Sequence, residues 1–136
     1  MFTIEKRFYD EIIAHSLEED PNECCGLLVG SGGKGLKLYR TTNSLHSPMR
    51  YNIEPKELLQ VHRELDDNGW DIVAIYHSHT HTHAYPSATD IELAFWPDSL
   101  YLIVSLQEKK TPLLRAFSIR NGQVTEETIN VITPQS

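Results

Sequence analysis

Basic residues are scarce in this chain. Twelve lysines and arginines face 19 aspartates and glutamates, a net charge of -7 over 136 residues, which argues against a nucleic-acid surface. No apolar run approaches the length of a membrane span, and no charged-then-apolar leader opens the sequence. Both absences fit a soluble, cytoplasmic protein with no membrane partner. Cysteine is limited to Cys24 and Cys25. A disulfide between neighbours is strained, and buried free cysteine behaves as a small apolar residue, so both read as structural and compatible with a reducing compartment. Repeats, linkers and low-complexity segments are also missing, so residues 1–136 read as one domain, long enough to bury a core.

What the chain does have is concentrated between Tyr76 and Glu92, which reads Y-H-S-H-T-H-T-H-A-Y-P-S-A-T-D-I-E. The apolar run Asp71-Ile-Val-Ala-Ile-Tyr76 predicts a strand ending at the first histidines. Residues i and i+2 of a strand share a face, so His77 and His79 can converge on one metal ion, and Asp90 can add an oxygen ligand. Two nitrogens and one oxygen suit catalytic zinc, whose fourth position is left to water.

Three alternatives stand beside that reading. Four histidines at alternate positions can form an adventitious metal patch or a plain polar loop. A second register, counted from His81, places Thr89 and Glu92 at the offsets that Ser87 and Asp90 hold from His79; the strand boundary favours the first, leaving His81 and His83 in the loop. Pro86-Ser87-Ala88-Thr89-Asp90 also has the form of a helix start, with serine as cap and an acidic residue three positions on. Cap and ligand are compatible, because a helix beginning at Ser87 would aim Asp90 at the histidines.

Elsewhere, Phe8, Tyr9, Ile12, Ile13 and Leu17 fall at helical spacing until Asp20-Pro21. Cys25–Val29 and Leu36–Arg40 read as strands joined by a glycine-rich hairpin, which lacks the Gly-Lys-Ser/Thr ending of a phosphate loop. Pro55 opens a helix carrying Leu58, Leu59, Val61 and Leu65 on its apolar face, with His62 packed near them, and Gly69 closes it. A helix from about Ser87 to Trp96 follows, then strands Leu100–Leu106 and Leu113–Ile119. Asn121-Gly122 turns the chain into a final strand, Gln123–Val131, before a loose tail after Thr133. The fold class is mixed α/β, a mixed sheet with helices packed around it.

The pattern H-S-H, with serine and aspartate eight and eleven residues beyond the second histidine, resembles the JAMM (MPN-plus) metallopeptidases. Asn22-Glu23-Cys24-Cys25-Gly26-Leu27-Leu28-Val29-Gly30 resembles their upstream segment. The resemblance implies a curved mixed sheet flanked by helices and one Zn2+ per chain on His77, His79 and Asp90. It makes Glu23 the general acid/base and Ser87 the hydroxyl that supports the intermediate. Thr80 stands where the eukaryotic deubiquitinases of the family usually have proline. The segments Y-H-S-H-T, A-Y-P-S and T-D look instead like the small bacterial members. Those act on ubiquitin-like sulfur-carrier proteins, removing cysteine or a short extension after a Gly-Gly tail. A deubiquitinase-like isopeptidase, a non-catalytic scaffold of the same fold and a zinc hydrolase of small amides are the other functions such a chain can have.

Overall fold

In the computed structural model, which describes residues 1–134, eleven elements follow one another. They are β1 (Phe2–Glu5), α1 (Lys6–Glu19), β2 (Cys25–Ser31), β3 (Lys34–Thr41), α2 (Pro55–Asn68), β4 (Asp71–His79), α3 (Ala88–Glu92), β5 (Leu100–Ser105), β6 (Leu113–Arg120), β7 (Gln123–Glu127) and β8 (Ile129–Ile132). Six strands form one sheet in the order β3-β2-β4-β5-β6-β7, and β1 pairs with β8 apart from it. Within the large sheet only β4 and β5 run parallel; the other neighbours are antiparallel. The mixed α/β class expected from the sequence is the one observed.

Strand alternation divides the core between the two faces of the sheet. On one face Cys24, Leu28, Ala74, Tyr76, Leu102 and Val104 pack with Phe8 and Ile12 of α1. On the other, Cys25, Leu27, Val29, Ile75 and Tyr101 pack with Val61 and Leu65 of α2. His77 and His79 fall on the parity of Ile75, so β4 delivers both to the α2 side. Central position explains why β4 is buried without interruption from Ala74 onward. Two-residue turns set the hairpins: Gly32 and Gly33 have φ of 60° and 78°, and Asn121 and Gly122 have 51° and 77°. These left-handed pairs match strand twist and suit glycine and asparagine.

The structure departs from the sequence reading in five places. The helix after Ser87 stops at Glu92 instead of reaching Trp96. Its last turn tightens, with the Ala94 amide bonded to the Ile91 carbonyl, and Pro97 disfavours helical geometry at Trp96. That tryptophan instead packs against the α2-side core. Gln123–Val131 is not one strand: the chain leaves β6 after Glu127, and β8 crosses to β1, which the sequence reading did not include. Ile129 thereby packs against the cluster holding Phe2 and Ile4. His62 and Leu59 are exposed, because the buried stripe of α2 is centred on Val61 and Leu65. Leu17 is likewise exposed, and His15 and Ser16 take its place on the buried face of α1. Of the expected loose tail, Thr133 and Pro134 have no regular structure; Gln135 and Ser136 lie outside the described residues. Among the described residues no helix is long and apolar enough to cross a membrane.

Gly26 permits the close packing behind the site. It pairs with Tyr76 across β2 and β4, and a Cβ there would sit 2.2 Å from the Tyr76 ring. The ring is fully buried, and its hydroxyl lies 2.7 Å from His15 Nδ1. Gly26→Ala is expected to destabilise the protein by about 1–3 kcal/mol, as overpacking does. Thermal unfolding of the variant checks this, and an unchanged Tm would contradict the packing described.

Candidate metal centre and active site

The site forms where β4 ends. Cys25 pairs with His77 across β2, and His79 pairs with Ser105 across β5. One step beyond the first pair, a serine hydroxyl extends the pairing: the Cys24 amide donates to Ser78 Oγ at 2.9 Å, while the Ser78 amide donates to the Cys24 carbonyl. The segment bearing Glu23 is thus clamped to the one bearing the histidines. Beyond His79 the loop is tied down by Thr80 Oγ1 donating to the Pro48 carbonyl and Ser105 Oγ donating to the Thr82 carbonyl. The loop then enters α3 through a complete capping box. Ser87 Oγ accepts from the Asp90 amide, and Asp90 Oδ2 accepts from the Ser87 amide at 2.9 Å.

That arrangement brings together three side-chain atoms able to hold a metal ion. His77 Nε2 lies 3.1 Å from His79 Nε2 and 3.2 Å from Asp90 Oδ2, and the His79–Asp90 distance is 2.9 Å. Tetrahedral zinc, with bonds of about 2.0–2.1 Å, spaces its ligands by roughly 3.3 Å, so the triangle is the size of one face of such a tetrahedron. The donor set fits as well. The carbonyl of His83 lies 3.0 Å from His79 Nδ1 and fixes the proton there, leaving Nε2 as the lone-pair donor. The other register finds no such meeting point: His81 and Glu92 are exposed. His83 contributes through its backbone.

The charges follow from burial and from these contacts. Burial lowers the pKa of His77 and keeps it neutral, with Asp90 pulling the other way. For His79 burial also acts downward, but the Asp90 carboxylate and the His83 carbonyl outweigh it and raise its pKa. Burial opposes ionisation of Asp90, yet the bonds from both histidines and the Ser87 amide hold it well below the usual carboxylate range. Glu23 behaves oppositely. Desolvation is the largest influence and pushes its pKa up to about 8, the charge of His79 lowering it and that of Asp90 raising it. Its backbone is fixed on both sides, the amide donating to the Ser47 carbonyl and the carbonyl accepting from Asn43 Nδ2. Both cysteines are free and buried, and burial pushes the Cys25 thiol up to about 12. Neither is an activated nucleophile.

A groove of about 390 Å³ opens from Asp90, lined by Met49, Tyr51, Leu58, Leu93 and Phe95 among others. A larger cavity, about 900 Å³, surrounds Asp71 at the opposite end of β4, away from the ligating atoms. Sequence reasoning did not reach Tyr51 as a neighbour of His77, the His83 carbonyl or Asn43. Ring stacking and backbone acceptors leave no residue signature, and Asn43 acts through a loop.

With the geometry in place, comparison with known proteins identifies the class. Residues 5–120 match the family described as prokaryotic homologs of the JAB domain, and the chain belongs to that family. Among its relatives is the CysO-cysteine peptidase of Mycobacterium tuberculosis, 41% identical over 123 residues, covering 89% of this chain and 84% of that protein. A desampylase of Haloferax volcanii is 33% identical over 109 residues, covering 75% and 78%. A solution structure of a Desulfitobacterium hafniense protein, 37% identical, superposes with a TM-score of 0.86 over 98% of this chain and 94% of that one.

The raised pKa of Glu23 has a measurable consequence. In the folded, chelator-treated protein Glu23 stays protonated up to about pH 8, whereas unfolded it ionises near 4.5. The folded state therefore holds an extra proton between these values, and its stability falls as pH rises through that window. Glu23→Gln removes the penalty. Its stability advantage over the wild type, followed as the difference in Tm, is expected to grow from pH 5 to pH 8 by about 3 kcal/mol. Parallel Tm-against-pH curves would contradict the burial of this carboxyl.

Proposed function

We propose that the protein is a zinc-dependent hydrolase that removes cysteine, or a short C-terminal extension, after the Gly-Gly of a ubiquitin-like sulfur-carrier protein. The chain is a hydrolase of peptide or isopeptide bonds, the class defined by its family and its peptidase relatives. One observation carries the site reading. His77 Nε2, His79 Nε2 and Asp90 Oδ2 meet within 3.2 Å beside a buried carboxyl held protonated to about pH 8. The relatives support the substrate class, one named for releasing cysteine from CysO and another as a desampylase.

The three side chains would hold the metal, which supplies Lewis acidity: it makes water a stronger acid and polarises a scissile carbonyl. Glu23 takes the proton of the attacking water and passes it to the departing amine, as general base and then general acid. A carboxyl with a pKa raised by burial is suited to the second task, and the positive charge of the centre favours the anionic form needed for the first. Ser87 Oγ spends a lone pair on the Asp90 amide, which leaves its own proton to donate to the developing oxyanion. His79, kept in one tautomer by the His83 carbonyl, and Asp90, fixed by the helix cap, hold their positions throughout.

An extended tail suits the groove beside Asp90. The amide and carbonyl of Arg50 and Asn52 are already bonded to Ser47, Asn43 and Ser44. By alternation, the backbone at Tyr51 faces the other way and offers an edge for strand addition, whereas the Ile53 carbonyl already accepts from Asn52 Nδ2. A Gly-Gly tail has no side chains to clash there.

Intact-mass spectrometry of a sulfur-carrier protein carrying a residue beyond Gly-Gly tests this reading. Zinc-loaded wild type is expected to trim it back to the second glycine, chelation to stop the reaction and added zinc to restore it. Glu23→Gln is expected to retain one zinc per chain while slowing cleavage by roughly two to four orders of magnitude. Loss of zinc from that variant would make Glu23 a ligand and overturn its assignment. Cleavage of an isopeptide conjugate with no trimming of the linear tail would move the substrate to protein conjugates.

A further inference from the structure

We propose that Tyr51 is the positioning residue of His77, holding its imidazole in the ligating orientation by stacking where no hydrogen bond does so. The inference deepens the metal-centre reading and rests on it. A metal-binding histidine ordinarily donates its second ring N–H to a carbonyl or carboxylate, which fixes both tautomer and ring plane. His79 follows that pattern through the His83 carbonyl. His77 does not: the residue is 1% exposed, and its Nδ1 is buried with no hydrogen-bond partner among the described residues. Nδ1 must nevertheless carry the proton if Nε2 is to offer its lone pair.

The restraint missing from Nδ1 is supplied on the face of the ring. Tyr51 lies over His77 with centroids 4.4 Å apart and planes inclined by 20°, whereas the His77 and His79 rings are tilted by 59°. Flat contact of this kind opposes rotation about the Cβ–Cγ bond, the motion a hydrogen bond at Nδ1 would otherwise stop. The tyrosine is itself anchored. Asn43 donates to the Arg50 carbonyl and accepts from the Asn52 amide on either side of it, and the same asparagine amide group holds the Glu23 carbonyl. One loop side chain therefore sets both the residue stacked on a ligand and the backbone of the general acid/base. Because Tyr51 also lines the groove, its ring is shared between the metal centre and the tail that would occupy the groove.

The ring face carries this role, so phenylalanine preserves it and an aliphatic side chain of similar bulk does not. Zinc affinity of the full chain, measured by competition with a chromophoric chelator, tests the assignment apart from activity. Tyr51→Phe is expected to bind zinc within about twofold of the wild type, and Tyr51→Ala roughly 10–100-fold more weakly. Tyr51→Leu, which keeps apolar volume and so guards against a folding defect, is expected to show the same loss. Cobalt-loaded Tyr51→Leu should also show a d–d spectrum shifted from that shared by wild type and Tyr51→Phe. Wild-type affinity in both Tyr51→Ala and Tyr51→Leu overturns the proposal while leaving the metal centre standing. Failure of the wild type to hold stoichiometric zinc, or wild-type affinity in His77→Ala, overturns the metal-centre reading itself and the proposal with it.

Discussion

One carboxylate oxygen joins the two halves of the site. Asp90 Oδ2 accepts the Ser87 amide that opens α3, and it also meets His77 and His79 at the end of β4. The start of a short helix and the end of a central strand are thereby fixed to each other through a single atom. The helix spans only five residues and buries none of them, so packing alone would not hold it in place. Its orientation depends on the capping box and on the anchored loop before it. The electrostatics follow from the same atom: two histidines and an amide keep Asp90 ionised in a partly buried setting, which is the state a metal ligand needs.

Behind this face, the sheet turns alternation into precision. Residues that point toward the site, Cys25, His77 and His79, are interleaved with Cys24, Tyr76 and Ser78, which point toward α1 or bond across strands. Polar pairs are set into that otherwise apolar layer. His15 meets the Tyr76 hydroxyl, Ser16 meets the Cys24 thiol, and Ser78 receives the Cys24 amide. Each bond involves a residue next to Glu23 or to a histidine, so the layer facing the candidate site inherits its rigidity from the one beneath. Such support is what a constellation needs to keep its geometry without substrate.

Much of this was legible in the sequence, for identifiable reasons. The run of β-branched residues before His77 marks the strand end, and period two then places both histidines on one face. Gly32-Gly33 and Asn121-Gly122 are turn residues whose backbone angles leave few other roles, and both turns are observed. Ser87 and Asp90 read as a cap and form one. What escaped the sequence depends on contacts between distant segments. The pairing of β1 with β8 joins the two ends of the chain. The helix after Ser87 ends early because Trp96 docks on the core. His62 reads as a packed residue from its place near the apolar face of α2, but lies one helical step outside the buried stripe. Tyr51 sits in a loop with no periodicity, and only the fold shows that its ring covers His77.

In the function proposed, His77, His79 and Asp90 form a nitrogen- and oxygen-ligated zinc centre, with both nearby cysteines outside it. X-ray absorption spectroscopy of the zinc-loaded protein measures this directly. The expected result is a shell of nitrogen and oxygen at about 2.0–2.1 Å, with the outer-shell signature of two imidazoles and no sulfur. Cys25 lies directly across from His77, on the same face of the sheet. A scatterer at about 2.3 Å would therefore place a thiolate on the metal and contradict the site described.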